Sequence, residues 1–162
     1  MPPLRIQLVK HADGGAVLRC VRPDGTTTWQ RHDGAQGPLF PLHDLTHHAV
    51  ETELGTSEGF FGLVARGWGP ADVAGTGARG ALPAAALEVE RLVGWLDAER
   101  ASGARWTAAD YALREPSPVV AGVPVTDDLL ARVRTRRAAL FAGWEAVTTG
   151  RALELDFDPR PA

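Results

Sequence analysis

Cysteine is almost missing from this chain. Cys20 stands alone among 162 residues, so no disulfide can close within the chain, and packing rather than covalent stapling must hold the fold. Its setting, Val17-Leu18-Arg19-Cys20-Val21, reads as a strand, which makes the thiol a small buried hydrophobe rather than a reactive group. Long apolar runs are missing too. No stretch approaches the ~20 residues that span a bilayer, and the first residues lack the basic-then-apolar order of a secretory signal. A cytoplasmic protein with no membrane partner is the expectation. Excess positive charge is also absent: seventeen Lys and Arg face twenty Asp and Glu, for a net charge of −3 and a pI near 5.9. That balance offers no electrostatic reason to expect nucleic acid or an anionic membrane as a partner. Lys10 is the only lysine among the seventeen basic residues, a bias from which no function follows.

What is present suits a globular chain. A hydrophobic fraction of 44% and a charged fraction of 23% allow one domain over residues 1–162 with a core of useful size. The pattern predicts an α+β fold: an N-terminal antiparallel meander in residues 1–32, a mainly helical region in 42–150 and a returning strand in 152–158. Leu4, Ile6 and Leu8 alternate with Arg5 and Gln7, as a half-buried strand requires. Asp13-Gly14-Gly15 and Pro23-Asp24-Gly25 are turn signals, and Thr26 to His32 is rich in β-branched and aromatic residues. A helix starts near Leu42, with Pro41 tolerated at its first turn, and Gly55 ends it. Phe60 to Trp68 reads as a short buried helix. Gly69 to Ala81 reads as a loop. Its formal GxGxxG, Gly75 to Gly80, lacks the preceding strand that a dinucleotide site needs. Pro83 to Arg100 is helical, with a stripe of Ala86, Val89, Leu92, Val93 and Leu96. Residues 104–124 are irregular apart from a short helix at 107–113. Thr126 caps a long helix that follows, with Asp127 and Asp128 in its first turn and Gly150 at its end. These helices are expected to lie on the apolar face of the sheet. Leu153, Leu155 and Phe157 alternate with acids in a strand expected to rejoin the meander.

One stretch concentrates chemistry: Pro41-Leu42-His43-Asp44-Leu45-Thr46-His47-His48-Ala49-Val50-Glu51. His43 and His47 are four residues apart on a helix, so their imidazoles stack one turn apart, where one metal ion can touch both. On a helical wheel Leu42, Thr46 and Ala49 centre the apolar side. His43, His47 and Glu51 climb its border, Asp44 lies further round, and His48 faces solvent. A third donor fits best from beyond a turn, because three ligands in one helical row surround a tetrahedral ion poorly. Glu58, just past Gly55, ranks first, then Glu51, then Glu53. Asp44 is the candidate proton-transferring group. Zinc follows from the N and O donor types, with iron, nickel or manganese as alternatives. The two imidazoles are expected to converge even without metal, with a carboxylate of Glu58, Glu51 or Asp44 within ~5 Å.

His43-Asp44-x-x-His47, ten residues, then Glu58 resembles the HDxxH…E motif of the metal-binding proteins of coenzyme Q biosynthesis. That resemblance covers about sixteen residues. It implies a metal-ligand role for His43, Asp44, His47 and Glu58, and no substrate. The family has eleven residues before its Glu and is largely helical, in contrast to the meander here. The wider stretch from His43 through Gly59-Phe60-Phe61-Gly62 also resembles small uncharacterised bacterial proteins, and this brings no function with it.

Other groups are weaker. His32-Asp33 joins a site only if its strand end reaches the helix, and His11 reads as a loop residue. Asp110 and Tyr111 are acid–base types with nothing to place them near His43. The five tryptophans read as core, Arg132, Arg134, Arg136 and Arg137 as a solvated face, and Ser57, Ser102 and Ser117 lack a nucleophile context. Two classes of function stand: a small metalloenzyme acting on a small-molecule ligand, and a non-catalytic binding or interaction module whose His43/His47 helix is purely structural. No feature of the sequence sets an oligomeric state.

Overall fold

The computed structural model of the chain describes residues 2–158. Strands β1 (Leu4–Lys10), β2 (Ala16–Val21) and β3 (Thr27–His32) form the expected meander. In its two turns the Asp13 and Asp24 carboxylates accept hydrogen bonds from the backbone N–H of Gly15 and Thr26, at 2.8 and 2.9 Å, a local contact that favours reversal. Ile6 lies opposite Cys20 and Leu8 opposite Leu18, so the alternate apolar residues of both strands share one face. The chain continues through helices α1 (Phe40–Leu54), α2 (Phe60–Ala65), α3 (Pro70–Val73), α4 (Ala84–Ser102) and α5 (Ala108–Arg114). A two-residue hairpin, β4 (Val119–Val120) and β5 (Val123–Pro124), leads into α6 (Asp127–Ala146) and then β6 (Ala152–Phe157). β6 returns antiparallel to β1, with Leu4 opposite Phe157 and Leu8 opposite Leu153. The sheet order is β3-β2-β1-β6, and the fold is α+β as expected.

Several local expectations change. The Gly-rich loop contains the short helix α3, started by Pro70. Gly75 to Gly80 follows that helix and not a strand, so no βαβ unit surrounds it. The last helix stops at Ala146, before Gly150. The Gly150 N–H instead donates to the Lys10 carbonyl at 2.8 Å and leads the chain into β6. No helix among the described residues is long and apolar enough to cross a membrane.

The largest correction concerns the layers. α4 does not lie on the sheet; α1 separates the two and forms a core on each of its sides. Toward the sheet, Leu45 packs with Ile6, Leu8, Leu18, Cys20, Phe61 and Trp144. Away from it, Ala49, Val50 and Leu54 pack with Leu92, Val93 and Leu96 of α4 and with Leu129, Leu130 and Val133 of α6. α6 therefore straddles both cores. The solvated reading of its arginines holds for Arg132 and Arg136, which are exposed while bonding Glu53, and fails for Arg134 and Arg137: Arg134 bonds the buried Glu99, and Arg137 donates to the Leu96 carbonyl. Of the tryptophans, Trp95 and Trp144 are core, whereas Trp29 is 59% exposed under the Arg19 guanidinium. Burial, with Asp44 adding to it, pushes the Cys20 thiol up to about 12, so it is a hydrophobe in effect.

Leu92 is fully buried between α1, α4 and α6, while Leu113 is 86% exposed. Leu92→Ala should lower unfolding stability by ~2–5 kcal/mol in urea titration. Leu113→Ala should stay within ~0.5 kcal/mol of the parent. Equal costs would contradict the placement of α4 against α1.

Candidate metal centre

Packing on both sides leaves α1 with almost no wet face. Asp44, Thr46, His47, His48 and Glu51 are all buried on it. Buried polar groups cost free energy unless they are paired, and each of these residues finds a partner, with Nδ1 of His48 the one ring nitrogen left without one. Asp44 Oδ2 lies 2.8 Å from His32 Nε2 at the end of β3. The Thr46 hydroxyl donates to the Leu42 carbonyl, one turn back, at 2.8 Å. His48, expected at the solvent edge, is only 6% exposed; it sits against Phe61 and Phe157 and donates from Nε2 to the Asp156 carbonyl at 3.0 Å. The outward reading failed because β6 closes over that side of the helix. Burial holds the His48 pKa below its ordinary value.

His43 and His47 do converge. Their ring centroids are 4.8 Å apart, with planes at 77°. Both turn Nε2 toward Glu90 of α4, His47 at 2.8 Å and His43 at 3.6 Å from its carboxylate oxygens. The three donor atoms lie within 4.8 Å of one another. Tetrahedral zinc with bonds of ~2.0–2.2 Å needs donors about 3.4 Å apart, so small rotamer changes suffice. The other ring nitrogens are also held: His43 Nδ1 lies 2.7 Å from Asp97, and His47 Nδ1 lies 3.2 Å from Glu51. A carboxylate on the distal nitrogen is the arrangement that fixes tautomer and orientation in histidine–metal sites. The residues present therefore fit a divalent ion.

Glu51 is fully buried and supports this group without joining it. Its two oxygens accept from the N–H groups of Phe61 and Gly62, at 3.3 and 3.2 Å, in the first turn of α2. Positive φ at Gly55 (65°) lets the chain reverse between the two helices, a conformation that glycine adopts freely. Two other glycines are required by space alone. A Cβ at Gly59 would lie 2.2 Å from the Glu51 carboxyl carbon, and one at Gly62 would lie 2.1 Å from the Ser57 carbonyl oxygen.

The remaining candidates go elsewhere. Glu58, ranked first as third donor, is bonded to Arg66 at 2.7 Å. Glu53 is taken by Arg132 and Arg136, whose hydrogen bonds outweigh burial and hold its carboxyl below the usual range. Asp33 pairs with Arg31, whereas its neighbour His32 reaches the helix. Asp110 closes the capping box of α5, Tyr111 is buried near Trp95, and the His11 N–H serves its turn. Ser102 and Ser117 serve backbone contacts, and the Ser57 backbone packs on Gly62.

Sequence reasoning missed Glu90 and Asp97. A faint signal existed, since seven residues is two helical turns and puts both acids on one face of α4. Nothing in the sequence says that this face meets His43 and His47.

The group opens on a cavity of about 340 Å³, within the usual range for small-molecule sites. Phe40, Phe60, Leu63, Val73, Leu82 and Ala86 supply apolar wall, and His32, Asp44 and Gln30 add polar atoms. A larger groove of about 630 Å³ between α6 and β6 has Glu53, Arg132 and Arg136 as its charged groups. They are tied to one another there, so the smaller cavity is the chemical one. No protein-family model, curated protein or solved structure matches the chain.

Electrostatics complete the picture. Burial pulls the His47 pKa down, but Glu51 and Glu90 on its two nitrogens overcome this and raise it to about 10. The hydrogen bond from His47 in turn holds Glu90 below the usual carboxylate range against its own burial. A raised histidine pKa stabilises the fold fully below the unfolded value of ~6.5, and that contribution is lost as pH rises toward 10. In chelator-treated protein the stability advantage over His47→Gln should therefore be largest near pH 6 and shrink steadily toward pH 10. A constant advantage would mean that His47 is not paired as described. Separately, Gly62→Ala should destabilise the fold by more than ~1 kcal/mol, read as a lowered urea midpoint.

Proposed function

We propose that this protein is a divalent-metal protein in which His43, His47 and Glu90 hold the ion at the wall of a small-molecule cavity. The observation that carries this reading is the convergence of the two Nε2 atoms and the Glu90 carboxylate, with Asp97 and Glu51 seated on the opposite ring nitrogens. Two neutral imidazoles and one carboxylate suit zinc, and equally iron or another transition ion. Three protein donors leave coordination positions open, and an ion bound there would supply Lewis acidity toward a carbonyl or toward water. A small metalloenzyme is the reading this favours. Asp44, through His32, is then the proton-handling pair of the same cavity. The resemblance of His43-Asp44-x-x-His47 to a metal-binding motif points the same way, with Glu90 in the place considered for Glu58.

A purely structural helix is the second reading. It is favoured by the fact that His47 has carboxylate partners on both nitrogens without any ion.

Metal analysis of protein purified without a polyhistidine tag separates the two. About one equivalent of divalent ion is expected, lost in His47→Ala and in Glu90→Ala but kept in Glu58→Gln. Added zinc should raise the melting temperature at pH 7.5, because a ligand that binds only the folded state stabilises it by ~2.7 kcal/mol at one hundred times Kd. The gain should fade as pH falls, because protons compete for His43 and His47. No zinc effect in the parent, or equal loss in Glu58→Gln, would favour the structural reading.

A further inference from the structure

The cavity has a second polar feature, apart from the His43–His47–Glu90 group. His32 and Asp44 are both buried and meet at 2.8 Å. An ionised Asp only accepts, so Nε2 of His32 carries the hydrogen and Nδ1 of the neutral ring is an acceptor. Phe40 stacks on the ring, with centroids 4.6 Å apart and planes 14° from parallel, and this fixes its orientation. Among the described residues Nδ1 has no hydrogen-bond partner, and the ring, 3% exposed, lines the cavity.

Charge narrows what can sit against it. No Arg or Lys lines the cavity. Asp44 and Glu90 are the carboxylates that line it, and Glu51 and Asp97 sit behind its histidines, Asp97 also 3.9 Å from Arg100. An anionic ligand would meet carboxylates with no cationic side chain among the lining residues to offset them, and an acceptor nitrogen that offers it nothing. The apolar walls disfavour a ligand that is charged at all.

We propose that the cavity binds an uncharged, largely apolar small molecule through one hydroxyl group. That hydroxyl donates a hydrogen bond to Nδ1 of His32, and Asp44 holds the ring in the accepting tautomer. The proposal rests on the metal-site reading for what the bound hydroxyl lies beside.

The test uses three probes of one shape, titrated calorimetrically into the zinc-treated full chain: para-cresol, para-methylanisole and para-toluate. Zinc uptake is followed in parallel by melting. Para-cresol should bind about tenfold more tightly than the ether, which lacks the donor, and more tightly still than the carboxylate. Asp44→Asn removes the obligatory acceptor, so the ring is no longer held in one tautomer. The cresol-over-ether preference should vanish while the zinc shift persists. Because that variant alters a buried pair, a second one keeps the question open to refutation. Ala74 is exposed on the cavity rim, and Ala74→Trp should weaken all probes with folding and zinc uptake intact. Toluate binding as tightly as cresol, an undiminished preference in folded Asp44→Asn, or unchanged affinity in Ala74→Trp would each overturn the proposal. A cresol preference in protein that takes up no zinc upholds it and sinks the metal reading. Zinc uptake without that preference does the reverse.

Discussion

The burial of α1 on both sides is the constraint on which the rest of this structure depends. A helix between a sheet and two other helices would ordinarily be apolar all round. This one carries Asp44, Thr46, His47, His48 and Glu51 inside. Leaving any such group without a partner costs ~1–3 kcal/mol, more for a charge. The surrounding elements are accordingly drawn in: β3 supplies His32, β6 the Asp156 carbonyl, α2 two N–H groups, and α4 Glu90 and Asp97. The polar contacts tie α1 to four different elements, so they specify the packing as well as satisfy the helix.

The same contacts preorganise the candidate site. A metal-binding histidine works best when its distal nitrogen is already held, and both His43 and His47 meet that condition. Glu51 itself is positioned by the start of α2, where Gly59 and Gly62 leave room that no side chain could share. His47 lies between Glu51 and Glu90, and these two carboxylates raise its pKa to about 10 against its own burial.

The cavity is assembled from two kinds of group. Its apolar walls come largely from α2, α3 and the start of α4, whereas its polar atoms come from β3, α1 and Glu90. The walls and the chemistry thus belong to different parts of the chain.

The sequence by itself determined most of the elements, though not α3 or the β4–β5 hairpin, and the pair of histidines. Period-two alternation in Leu4-Ile6-Leu8 and Leu153-Leu155-Phe157, glycines at the turns, and the spacing of His43 and His47 are local signals, set by backbone geometry and readable without a fold. Only the tertiary structure decided which groups complete the site. Glu90 and Asp97 lie more than forty residues from the histidines they meet. Glu58 is nearer in sequence but is held by Arg66. His48 has the polarity of a surface residue, yet β6 covers it. Wheel geometry shows that a helix has two sides, but not that both are buried. That depends on where α4 and β6 return in space, which packing of the whole chain sets and no local pattern records.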